Sequence, residues 1–220
     1  WNDLHYNLCP RSALKRIVQN VSDQGYEVFA GIEPEFIVMK WQDGKPVKAF
    51  DNDPNSGEGL RPRRQAFGYD VEFSIDSMGF LGELIDIIEE LGWNLHDVVA
   101  EGAYSQFELD FHYTDILSMA DRLVFLRVLL KEVAKRHGKF VTFMPKPTIG
   151  DWRSGAHINT SMQAVENPGV NIFETESGGW SDLVFCAVGG LLRHGGALTG
   201  ISCSTVNSYN GLVPKVGGFE

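Results

Sequence analysis

The chain has 220 residues, 43% hydrophobic and 22% charged, the profile of a globular protein long enough to bury a sizeable core. A net charge of −10 argues against nucleic acid as the main partner, because neutralising phosphates takes basic patches; the acidic excess fits a solvated surface or carboxylates gathered for a metal. Cys9, Cys186 and Cys203 share no short spacing and suggest neither a zinc motif nor a disulfide framework, no apolar run reaches transmembrane length and no signal peptide opens the chain, so the expectation is a cytoplasmic protein without a membrane partner.

In chain order, Pro10 and then Ser12 to Gln24, closed by Gly25, read as a helix with a proline before it and a glycine stop after it. Tyr26 to Trp41 is rich in β-branched and aromatic residues and reads as one or two strands. Asp43-Gly44 and the stretch Asp51 to Gly57 are turn chemistry, so residues 42–68 read as loops or short hairpins. Gly82 to Leu91 carries Leu84, Ile85, Ile88 and Leu91 at helical spacing before Gly92. Ser105 to Phe111 alternates strictly and reads as a strand; Asp121 to His137 reads as an amphipathic helix capped by Gly138. Residues 140–144 and 155–162 read as two more strands. Ser181 to Gly200 reads as an apolar helix whose glycine pairs at 189–190 and 195–196 suggest close backbone packing. Helices and strands alternate without the regular spacing of a doubly wound sheet, which predicts an α+β fold with a mostly antiparallel sheet flanked by helices. The opening Trp1-Asn-Asp-Leu and the end at Glu220 read as cuts in a longer chain.

Three constellations are candidates for chemistry. In Glu33-Pro34-Glu35 both carboxylates share a strand face, where like charges repel unless a cation lies between them; the competing reading is an exposed edge strand, which also suits Pro34. In Ser105 to Phe111, Gln106, Glu108 and Asp110 share one face. Glu101, seven residues before Glu108, would lie on the other face of an unbroken strand, and a bend at Gly102 or Tyr104-Ser105 would bring it back. The competing reading here is a solvated acidic face. In Gly155 to Ser161, His157, Asn159 and Ser161 share a face; one imidazole beside several carboxylates suits Mg²⁺ or Mn²⁺ better than zinc. A lone histidine is otherwise a structural residue. The chain carries no G-x-x-x-x-G-K phosphate loop, no G-x-G-x-x-G and no G-x-S-x-G, so ATP, if used, is held by metal and side chains.

In this order, Gly31 to Phe36, Glu101 to Glu108, Phe143-Met-Pro-Lys-Pro147, Gly155-Ala-His157 and Asn207-Ser-Tyr209 followed by Leu212-Val-Pro214 resemble the glutamine synthetase family, from about residue 10 to the end. The resemblance implies part of a catalytic domain, residues 1–220, with the small N-terminal domain and the C-terminal remainder outside the chain. It implies an ATP- and Mg²⁺- or Mn²⁺-dependent ligase that joins glutamate to ammonia or an amine through a γ-glutamyl phosphate, in a homo-oligomeric ring, a dodecamer. By matching positions, Glu35, Glu101 and Glu108 resemble the ligands of one metal, and Glu33 and His157 those of the other. Glu35, Glu101, Glu108 and His157 are the implied catalytic set. Asn159 and Ser161 fall at nucleotide positions, and Tyr69, Arg153, Asn210 and Gly211 at substrate positions. The pattern departs at three places. Trp152-Arg153 stand where an Asn-Gly pair is usual, Asn210-Gly211 where Lys-Arg is usual, and Asn159 where a second histidine is usual. The resemblance leans towards the branch of γ-glutamyl-amide ligases for amines, and the substitutions at Trp152-Arg153 and Asn210-Gly211 suggest an amine over ammonia. Ordinary glutamine synthesis and a catalytically silent ring protein are the alternatives.

Overall fold

The structure, a computed structural model, describes residues 6, 8–50, 68–69, 71–148, 151–210 and 212, the side chains of 71–76 excepted. The expected turn at 51–57 lies outside the described residues. The described residues form two compact units, one within Trp1–Gly31, Tyr113–Val124 and Ile158–Ser202, the other within Ile32–His112, Phe125–His157 and Cys203–Glu220.

In the first unit, helix α1 (Pro10–Ser22) starts with proline, whose missing N–H and fixed φ suit the first helical turn. Arg11 pairs with Asp121 at 2.8 Å, joining α1 to the start of helix α3 (Ile116–Arg136). Strand β1 (Tyr26–Gln42) begins here and pairs antiparallel with β5 (Thr114–Asp115), Phe29 opposite Asp115. Asp115 accepts the Ser118 amide at 2.9 Å, which caps α3 five residues ahead of the predicted start. The predicted helix 181–200 is two helices, α4 (Asp182–Arg193) and α5 (Gly195–Ser202), bent by 67° across His194. Gly195 and Gly196, directly after that residue, lower the cost of the break. The expected close packing at those glycines is absent among the described residues: a Cβ at Gly189, Gly190, Gly195 or Gly196 would meet nothing within 4 Å. No single described helix is long and apolar enough to cross a membrane, although the bent pair passes that test together.

The second unit holds the rest of β1, paired antiparallel with β2 (Lys45–Lys48), β4 (Gln106–Phe111) and β6 (Phe140–Thr142); β3 (Leu95–Ala100) pairs with β4, and β7 (Ala156–Ala164), of which residues 156–157 belong to this unit and 158–164 to the first, also pairs with β1. The β1–β2 hairpin turns on Asp43 and Gly44, with φ of 52° and 74°. Positive φ at both central residues is the tight hairpin geometry that Asp-Gly favours. β1 is central, not the exposed edge that Pro34 suggested, and Pro34 itself is buried. The β1–β4 pairs start at Glu35, one residue beyond the proline, so the missing N–H of Pro34 breaks no rung of that ladder.

Strand alternation sorts the sheet into two faces. Phe36, opposite Phe107, and Leu109 point to the core and are fully buried. Phe80, Leu84 and Ile88 of helix α2 (Val71–Glu90) and Leu126, Leu130 and Val133 of α3 complete that core. Phe36, Phe107, Phe50 and Phe80 form successive ring contacts at 6.0 to 6.3 Å. α2 starts eleven residues before the predicted Gly82, and Leu91, expected on its apolar stripe, is exposed after its end. The opposite sheet face carries Glu35, Glu108 and Gln106. A short helix, α6 (Val206–Tyr209), is the last helix among the described residues and opens with a Thr205–Ser208 capping box.

Candidate active site

Antiparallel register builds the site. Glu35 lies directly opposite Glu108, so their side chains leave the sheet together. Val99 is opposite Glu108, and the Glu101 amide donates to the Gln106 carbonyl at 2.9 Å. Glu101, directly after β3, therefore lies on the same face as Glu108. The chain does not bend within one strand, as the spacing suggested; it reverses in a β3–β4 hairpin whose last turn residue, Ser105, has φ 64°. Ser105 is locked by two hydrogen bonds with Phe50, its hydroxyl donating to the carbonyl at 2.9 Å and accepting from the amide at 2.8 Å.

β7 adds the histidine. The Glu35 amide donates to the Gly155 carbonyl at 3.1 Å, placing the start of β7 beside β1. His157 Nδ1 lies 3.2 Å from Glu33 Oε2. Its Nε2 faces the side of Gly155 where Glu35 Oε1 also lies. Ligand atoms of Glu35, Glu108 and His157 all fall within 4.8 Å of one another.

The cluster is electrostatically unfavourable as it stands. Burial pushes the Glu108 carboxyl up to about 8, helped by its hydrogen bond with Asp110 and by the charges of Asp110, Glu101 and Glu35. Burial also raises Glu35, with Glu101 adding to the shift while Gly155, His157 and Gln106 oppose it. Asp110 is raised chiefly by burial, and its Oδ1 is buried with no hydrogen-bond partner. Like charges gathered under partial burial and an orphaned acceptor fit a place for a divalent cation, since oxygen ligands with one imidazole are what Mg²⁺ and Mn²⁺ accept.

The other sequence-derived positions are more scattered. Arg153 is exposed beside Trp152, whose ring covers Gly102 next to Glu101; a Cβ on Gly102 would meet that ring at 2.6 Å. Tyr69 is 77% exposed at φ 67°, and its amide donates to Ala100 at 2.7 Å, next to Glu101. Asn210 is exposed at the end of α6, and Gly211 lies outside the described residues. Asn159 and Ser161 lie farther along β7, in the other unit. Two matched motifs meet directly: Asn207 accepts the Lys146 amide and donates to its carbonyl, both at 2.7 Å. Sequence reasoning did not single out Gln106, Asp110 or Gly155 as site residues. Two-residue periodicity had already put Gln106 and Asp110 on the face of Glu108, and that was the available signal.

The fold and this cluster define an antiparallel-sheet catalytic domain with a carboxylate-rich centre. The family model for the glutamine synthetase catalytic domain matches residues 7–217, and the chain belongs to that family. Curated glutamine synthetases of Pyrococcus abyssi and Rhizobium leguminosarum bv. phaseoli are 32% and 34% identical over 98% and 91% of this chain. In both cases the match covers 44% of the relative, so the chain spans less than half of their length. A solved structure of ligand-free GmaS superposes with a TM-score of 0.81 at 31% identity, over 96% of this chain and 48% of that one. A Plasmodium falciparum glutamine synthetase shares the fold with a TM-score of 0.76 at 23% identity, over 96% of this chain and 44% of that one.

Proposed function

We propose that this chain forms the metal- and acid-binding part of a ligase that joins glutamate to an amine or ammonia at the expense of ATP. The observation that carries the reading is the convergence of Glu35, Glu108 and His157 on one sheet face of the family's catalytic domain. Glu101 extends the same carboxylate set, and Glu33 orients the His157 ring through Nδ1, the arrangement in which an outer carboxylate fixes the tautomer of a liganding imidazole. When bound, Mg²⁺ or Mn²⁺ would offset the negative charge of carboxylate and phosphates and polarise the phosphoryl oxygens.

In the proposed reaction an oxygen of the glutamate γ-carboxylate attacks the γ-phosphorus of ATP, and the bond to ADP breaks. The amine nitrogen then attacks the acyl carbon, phosphate departs with the carbon–oxygen bond, and the nitrogen gives up its surplus proton. The chain's own residues hold and shield this chemistry. The carboxylates fix the charge pattern, and Arg153 supplies a guanidinium for the acid in place of the arginine usual after Asn-Ser-Tyr. Trp152, half exposed over Gly102, offers an apolar wall to the substituent of an amine. That wall supports an amine over ammonia. Asn159 and Ser161 are proposed nucleotide contacts, and Tyr69, Asn210 and Gly211 proposed substrate contacts.

The relatives' lengths support a further proposal, that this chain is one part of a catalytic domain whose small N-terminal domain and C-terminal remainder lie elsewhere in the full protein, assembled as a homo-oligomeric ring. The test is amide formation by the full-length protein from ATP, glutamate and a panel of amines. The reading expects one amide per phosphate, released only with Mg²⁺ or Mn²⁺. ATP consumption without any amide across the panel refutes it.

A further inference from the structure

Gln106 is 1% exposed and makes more polar contacts than any single role in the sheet requires. Its Oε1 accepts from the Ala103 amide at 3.1 Å. Its Nε2 donates to Glu35 Oε2 at 2.8 Å and to the Arg153 carbonyl at 2.9 Å, with Ser154 Oγ at 3.5 Å. This network fixes which end of the amide is which. Reversed, Nε2 would face an N–H donor, while Oε1 would face a carboxylate and a carbonyl. Only an amide of this length supplies an acceptor and two donors there. An ionised glutamate has nothing to donate to Glu35, and an apolar side chain strands the Ala103 amide and the Arg153 carbonyl.

We propose that Gln106 is the positioning residue of the site, setting both Glu35 and the segment that delivers His157 and Arg153. The Glu35 carboxylate is bracketed: Oε2 is pinned by Gln106, and Oε1 sits 2.9 Å from where a Cβ on Gly155 would lie. Through the Arg153 carbonyl, the same amide ties down residues 153–155. His157 follows two residues later, and its Nε2 turns to the same side of Gly155. Ala103, the third partner, lies in the hairpin turn that begins with Glu101. One buried side chain thus sets the relative placement of three segments that reach the carboxylate cluster. The role of Gln106 in cation binding rests on the metal reading of that cluster; its role in holding the segments does not.

The test uses Gln106→Met with two readouts on the folded chain, Mn²⁺ titration and amide hydrogen exchange at Glu35 and Ser154. The expectation is Mn²⁺ affinity lower by about 10- to 100-fold, the usual effect of removing an outer-shell partner, with faster exchange at both amides. Glu83→Gln, which weakens a remote cluster with His137 and Arg136, is expected to lower the melting temperature without either effect. Unchanged affinity and unchanged exchange in folded Gln106→Met overturn the proposal. If the parent chain binds no Mn²⁺, the metal reading falls and the exchange readout alone decides on Gln106. If Gln106→Met does not fold, Gln106→Glu takes its place. It keeps the acceptor for Ala103 and, at a pH high enough to ionise the new carboxyl, loses the donor to Glu35, so exchange at Glu35 there as slow as in the parent at the same pH overturns the proposal.

Discussion

Raising the pH of the metal-free chain is expected to create a cation site by removing one proton. Burial first, and then the hydrogen bond and charge of Asp110 with the charges of Glu101 and Glu35, hold the Glu108 carboxyl at about 8. About ten chains in eleven then carry that proton at about pH 7, and a cation that needs the carboxylate binds roughly 10-fold more weakly there than at high pH. Between about pH 6 and about pH 9 the apparent Mn²⁺ affinity is expected to climb on the order of 100-fold, with close to one proton released per ion at the acid end. The sign for folding runs the other way. An unfolded glutamate titrates near about 4.3, so the stability tied to neutral Glu108 is fully present below that pH and lost as pH rises through the folded value of about 8. A saturating divalent cation removes that loss. The assay is calorimetric Mn²⁺ titration in two buffers of different ionisation heat, which counts released protons, with melting temperatures across the same range with and without Mn²⁺. A pH-independent affinity with no proton release would refute the placement of Glu108 in the cluster.

Gly155→Ala is expected to fold with stability within about 1 kcal/mol of the parent, because its new methyl group meets the flexible end of Glu35 at 2.9 Å and not backbone. The displaced carboxylate should nevertheless weaken Mn²⁺ binding, as titration of the variant will show. Phe36→Ala removes a fully buried ring behind Glu35 and is expected to cost about 3–5 kcal/mol in chemical denaturation. Arg153→Ala in the full-length protein is expected to raise the Michaelis constant for the acid substrate; an unchanged constant removes Arg153 from the acid site.

Much of this was legible in the sequence because strand periodicity is a strong signal. The shared faces of Glu33 with Glu35 and of Gln106 with Glu108 follow from two-residue alternation alone, and Asp43-Gly44 announced a tight hairpin. What was hidden depends on partners distant in sequence. The placement of Glu101 required β3, residues 95–100, whose pairing with β4 turns a seven-residue separation into a shared face across a hairpin. Whether Pro34 marked an edge depended on which strands flank β1, and β4 lies some 70 residues away. Glycine misled in opposite directions: Gly82, read as the start of a helix, sits inside α2, and the pairs at 189–190 and 195–196 accompany a bend with no close packing. Gln106 was visible as one more polar residue on a strand. Only the fold shows that its amide meets Glu35, Ala103 and Arg153 at once.

The proposed ligase chemistry requires that an oxygen of the acid's γ-carboxylate leave with phosphate. The most direct measurement is therefore transfer of a heavy-oxygen label from the γ-carboxylate of glutamate to inorganic phosphate during turnover of the full-length protein with ATP and an accepted amine. One labelled oxygen in phosphate is expected for each amide formed. Amide formation with the label absent from phosphate would contradict that chemistry.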